Sequence, residues 1–121
     1  MTKMRLIVFP VQTLFALVLT ACGFAPSSGC TTEARPSVSV KVVDAKGAPV
    51  PDATLTFSNG ALVQDCVNMM NGLYVCGYEE DGPITVTATK GADTNTQGVT
   101  VMQSPDGCHV EGQSITITLG A

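Results

Sequence analysis

Three groups of residues in this 121-residue chain have types and spacings that could do chemistry: five cysteines, a single histidine at His109, and the acidic run Glu79-Glu80-Asp81 before Gly82. His109 follows Cys108 directly, which would allow a Cys-His nucleophilic pair. A nucleophilic cysteine must carry a free thiolate, so that pair fails if Cys108 is held in a disulfide; an exposed or capping role for His109 is then expected. The acidic run could ligate calcium at a turn, but it lacks the alternating oxygen ligands of a calcium-binding loop and is read as solvated. The cysteines contain no C-x₂₋₄-C pair of the kind that holds zinc. No metal, no cofactor and no catalytic residue is therefore expected.

The chemistry of Cys22 depends on what precedes it. Lys3 and Arg5 lead into an apolar run from Leu6 to Leu19, interrupted only by Pro10, Gln12 and Thr13. That is the charged start and short hydrophobic region of a secretory signal, and it falls short of the roughly 20 apolar residues that cross a bilayer. The run ends in Leu19-Thr20-Ala21-Cys22, which resembles the bacterial lipobox. The resemblance implies cleavage after Ala21 and a lipid on Cys22, which also removes the odd cysteine from an oxidising compartment. Two or more acyl chains anchor stably, at about 0.8 kcal/mol per buried methylene. Gly23, a non-acidic residue after the lipidated cysteine, implies by the same resemblance the outer membrane if the cell is Gram-negative.

Removal of residues 1–21 leaves 100 residues, enough for one domain. These carry ten acids against four bases, Arg35, Lys41, Lys46 and Lys90, for a formal charge of −6. Such a balance provides no basic footprint for nucleic acid or for anionic headgroups. The expected partners are the membrane, through the lipid, and an envelope protein or glycan.

Gly23 to Pro36 is small, polar and without a period, so residues 22–36 read as the lipidated cysteine and its tether. Residues 37–121 read as an all-β domain. Val38, Val40 and Val42 alternate with polar residues, as do Ala53, Leu55 and Phe57, then Ile84, Val86 and Ala88, then Ile115, Ile117 and Leu119. Shorter candidate strands are Ala61 to Cys66, Leu73 to Tyr78 and Val99 to Met102. Seven short strands, apolar on one face and Ser/Thr-rich on the other, predict two sheets around one core. Asp44-Ala45-Lys46-Gly47 and Asn59-Gly60 read as turns, the latter as a two-residue hairpin. Pro49 and Pro51 cannot donate ladder bonds and place their segment at a sheet edge.

Four cysteines remain for this domain. With Met70-Asn71-Gly72 as a three-residue loop and Gly72 left-handed, Met69 faces Leu73 and Cys66 faces Cys76, at disulfide distance. Cys30 and Cys108 each precede a terminal strand, and they meet if the first and last strands are parallel neighbours. Two structural disulfides, Cys66–Cys76 and Cys30–Cys108, are expected. Met69, Met70 and Tyr74 could form an exposed apolar patch, but packing of the hairpin tip onto the sheet is the expectation.

Val40-Lys41-Val42-Val43-Asp44, Gly47, Pro49-Val50 and Asp52-Ala53 resemble the opening of carboxypeptidase regulatory-like domains. Asn71-Gly72-Leu73-Tyr74 and Gly82-Pro83-Ile84-Thr85-Val86 are similar to two further segments of that family, so the likeness runs from Val38 to Leu119. It implies a Greek-key sandwich of the prealbumin, or transthyretin-like, type. Enzymes of related fold need several histidines, or paired tyrosine and histidine ligands, which one histidine cannot supply. The expectation is a non-catalytic interaction or structural module; the alternatives are a small-ligand binder, which needs a sizeable apolar cavity, and a hydrolase built around His109.

Overall fold

The computed structural model describes residues 29–120, and the signal segment and Cys22 lie outside them. Among the described residues there are nine strands and no helix: β1 (Pro36–Val43), β2 (Thr54–Asn59), β3 (Leu62–Asp65), β4 (Val67–Asn68), β5 (Leu73–Tyr78), β6 (Gly82–Lys90), β7 (Asp93–Gln103), β8 (Val110–Glu111) and β9 (Gln113–Thr118). All lie in the compact unit Thr32–Ala121. One sheet has the order β4-β5-β1-β9 and the other β3-β2-β6-β7-β8. The first and last long strands are parallel neighbours, with Val38 opposite Gln113 and Val43 opposite Thr118.

The period-two pattern does the sorting. Val38, Val40 and Val42 of one sheet and Leu55, Phe57, Ile84, Val86, Ala88 and Val101 of the other are buried, together with Ile117 and Leu119. The intervening Ser and Thr residues face out. Burying one row from each sheet removes apolar area from water at about 25 cal/mol per Å², the main force holding the sheets together.

Nine strands replace the expected seven for local reasons. The candidate strand Ala61 to Cys66 holds β3, which pairs with β2; beyond it Cys66 N–H donates to Leu55 O (2.9 Å) as the chain passes to an additional short strand, β4, which pairs with β5 in the other sheet. A short β8 closes onto the end of β7, and β7 itself runs far beyond Val99–Met102. The Asn59-Gly60 turn is shifted by one residue. Asn59 pairs with Leu62, so the two-residue loop is Gly60-Ala61, with Gly60 at φ 90°. The tether is also shorter than expected, because Pro36 begins β1 and Arg35 is already bonded to the domain.

The hairpin carrying Cys66 and Cys76 has the expected register. Val67 opposes Val75, Asn68 opposes Tyr74, and Met69 N–H donates to Leu73 O (2.8 Å). The Cys66–Cys76 Cα separation is 4.4 Å. Cys30 and Cys108 are each disulfide-bonded as well. Gly72 is left-handed as expected, but so are Met70 (φ 80°) and Asn71 (φ 58°). Asn68 Oδ1 accepts from Met70 N–H (2.7 Å) and helps hold that conformation.

Tyr74 is buried, and its hydroxyl donates to Val50 O (2.9 Å) while accepting from Ala53 N–H (3.1 Å), which fixes the Pro49–Ala53 segment. Met69 and Met70 do not pack onto the sheet: Met70 is 70% exposed, because its backbone turn points the side chain away.

Candidate functional site

Of the two roles expected of His109, exposed or capping, the structure excludes the exposed one. The residue lies in the loop between β7 and β8, retains only 9% exposure, and its Nδ1–H donates to Glu79 Oε2. Glu79 sits at the bend between β5 and β6 with φ 54°, a left-handed conformation that few non-glycine residues adopt. That bend is held at the backbone by a bond from Glu79 N–H to Arg35 O (2.9 Å). The carboxylate in turn accepts from Arg35 N–H (3.0 Å) and from Val110 N–H (3.0 Å). Glu79 thus ties together three segments: the approach to β1, the β5–β6 bend and the start of β8.

The donors set its ionisation. The His109 hydrogen bond, strengthened by the backbone donors of Arg35 and Val110, holds the Glu79 carboxyl below the ordinary glutamate range against the opposing effect of desolvation. Beside it, Asp106 is lowered chiefly by the Ser104 hydroxyl, which donates to Oδ1 (2.6 Å), and by Cys108 N–H (3.0 Å). Ser104 N–H donates to His109 O (2.8 Å), so the loop is wound on itself. The acidic run is therefore only partly a solvated turn. Glu80 N–H donates to the buried Ser37 Oγ (2.8 Å), and Asn59 Nδ2 donates to Glu80 Oε1 and Asp81 O (both 3.3 Å).

A carboxylate-oriented histidine is the frame of a general base, which also needs a nucleophile or a bound substrate proton within reach. Cys108 is in a disulfide and has no thiolate to offer. Ser104 Oγ is committed to Asp106. Among the described residues no group of three or more His, Cys, Asp or Glu is disposed to hold a metal ion. The geometry fits a clamp that fastens the loop bearing Cys108 to the edge where the chain enters the sandwich.

Two open depressions flank the sandwich ends. One, of about 480 Å³, lies beside the clamp against Arg35, Ser39, Ser104 and Glu111. The other, of about 550 Å³, lies at the opposite end against Lys46, Pro49, Val50, Lys90 and Asp93. Lys90 is paired there with Asp52 (3.0 Å).

No protein-family model matches this chain, and no curated protein matches it either.

The sequence signals for Cys66 and Cys76 lead to a bonded pair, and Cys30 and Cys108 are also bonded, whereas Cys22 lies outside the described residues. Glu79 was missed as an individual residue. Its signal was faint: one acid in a run of three, 30 positions from the histidine it meets.

Proposed function

We propose that this chain is an exported lipoprotein, held at the cell envelope by lipid on Cys22, whose β-sandwich serves as a non-catalytic interaction or structural module. One observation carries the reading: Cys30, Cys66, Cys76 and Cys108 are all disulfide-bonded, so the domain's covalent framework is complete without Cys22. Disulfides belong to oxidising compartments, and Cys22 follows a secretory-type hydrophobic run directly. The likeness to carboxypeptidase regulatory-like domains supports a prealbumin-type Greek key, as do the parallel pairing of β1 with β9 and the two-sheet order. The membrane is the first partner and an envelope protein or glycan the second; Gly23 favours the outer membrane of a Gram-negative cell.

The end of the sandwich that bears the Asp44–Gly47 turn and the Gly91 turn carries an open depression. The depression there, with Lys46 and Lys90 on its walls, favours a small polar ligand as the second reading.

The test is membrane fractionation of the wild type and Cys22→Ser. The wild type is expected in the membrane fraction, and the variant is expected folded and released, since neither disulfide uses Cys22. Retention of the variant in the membrane refutes lipid anchoring; a turnover activity lost on His109→Ala refutes the non-catalytic reading.

A further inference from the structure

β7 has one edge that no strand occupies among the described residues. β6 covers one side of it from Asp93 to Val101, while β8 covers the other side only at Met102 and Gln103. On that second side Ser104 N–H bonds His109 O. Backbone groups alternate in direction along a strand, so those of Thr94, Thr96, Gly98 and Thr100 point to the same open edge as Ser104.

Natural sheets blunt such edges with lysine, proline, bulges or short strands. This edge has none of these. Thr94 to Gln103 contains no charged residue and no proline, and the register with β6 advances one for one, without a bulge. The opposite side of the sandwich differs: β3 has four residues and ends in Asp65, and β4 has two and is fastened by Cys66–Cys76. On the open side Asn95 Nδ2 donates to Thr118 O (2.9 Å), so β9, also without charge or proline, lies next to β7.

We infer that the open edge of β7 pairs with β7 of a second copy of this chain, antiparallel, about a two-fold axis at Gln97. Gln97 is the midpoint of the uncovered stretch Asp93–Val101. About that centre Thr94 opposes the copy's Thr100, and Thr96 opposes the copy's Gly98; these are the residues whose backbone groups point outward. Nothing lies within 4 Å of where a Cβ on Gly98 would stand, which leaves space for the opposing threonine. β8 stops the pairing at Met102, where the copy's chain turns away at Gly91-Ala92, so each copy's β8 sets the register. The self-pairing closes as a two-fold dimer and occupies the open edge of β7 in both copies. It also brings two net-negative chains together along a seam whose charges are confined to one Asp93 at each end.

The test does not depend on the lipid, and uses the full chain in a Cys22→Ser background. Gln97→Cys puts two thiols opposite each other in a non-hydrogen-bonded pair, with Cα atoms about 4.5 Å apart, inside disulfide range. Copper-phenanthroline oxidation is expected to give a band at twice the chain mass that reducing agent removes, while Lys41→Cys, on the outer face of the other sheet, stays monomeric. Gln97→Lys sets two ammonium groups opposite each other on an exposed position. Its mass by light scattering is expected to fall from two chains to one, with the circular dichroism of the fold unchanged. A monomeric parent chain, a Gln97→Cys protein that does not cross-link, equal cross-linking by Lys41→Cys, or a product of any mass other than two chains overturns the proposal.

Discussion

The Tyr74 hydroxyl has a task that its position in an apolar strand did not announce. It is buried and spans the backbone of Val50 and Ala53, satisfying one carbonyl and one amide that the two nearby prolines leave without a ladder. Tyr74→Phe removes both bonds at nearly constant volume and strands two backbone groups away from water. The expected loss is about 1–3 kcal/mol, the usual cost of a buried unsatisfied group, read as a lower urea midpoint with an unchanged slope.

At the scale of elements, the hairpin between β4 and β5 is fixed at its tip by close packing as much as by its disulfide. Gly72 O accepts from Val42 N–H (2.9 Å), and a Cβ on Gly72 would lie 2.9 Å from Pro49 Cβ and 3.1 Å from Val42 O. Gly72→Ala therefore meets both a left-handed backbone and a clash, and is expected to cost about 2–3 kcal/mol. Gly47→Ala is the control, since Gly47 is also left-handed but has nothing within 4 Å; about 1 kcal/mol is expected there. Thermal melts of the two variants separate packing from backbone strain, and equal losses would show that the hairpin tip is not clamped.

The whole molecule answers to pH through its lowered carboxyls. Glu79 is lowered by His109 and its backbone donors, Asp106 by Ser104 and Cys108 N–H, and Asp52 by the Lys90 ammonium. A carboxyl that is more acidic folded than unfolded stabilises the fold above its unfolded pKa, near 4, and that contribution is lost as pH falls through the folded value. Stability is expected to be level in this respect from neutral pH down to about 5 and to fall below it. Glu79→Gln is expected to flatten the acid limb of a Tm-against-pH curve while lowering Tm at neutral pH. An acid limb of unchanged steepness in the variant would remove Glu79 from this account.

The sequence by itself determined the all-β class, the rows of valine and isoleucine that became the core, and the Cys66–Cys76 register. All three follow from a period of two and from loop length, which are properties of neighbouring residues. It also pointed to β1 and β9 as parallel neighbours through the remaining cysteines. What the tertiary structure decided were meetings between distant residues. Glu79 reaches His109 and Arg35 across 30 and 44 positions, and no local pattern encodes such a contact. The two-residue strand β4 was equally hidden, because a stretch that short shows no alternation and its partner β5 lies in the other sheet. The same holds for the open edge of β7: threonine, asparagine and glutamine alternate there as on any half-exposed strand, and only the order of strands places that run at a border.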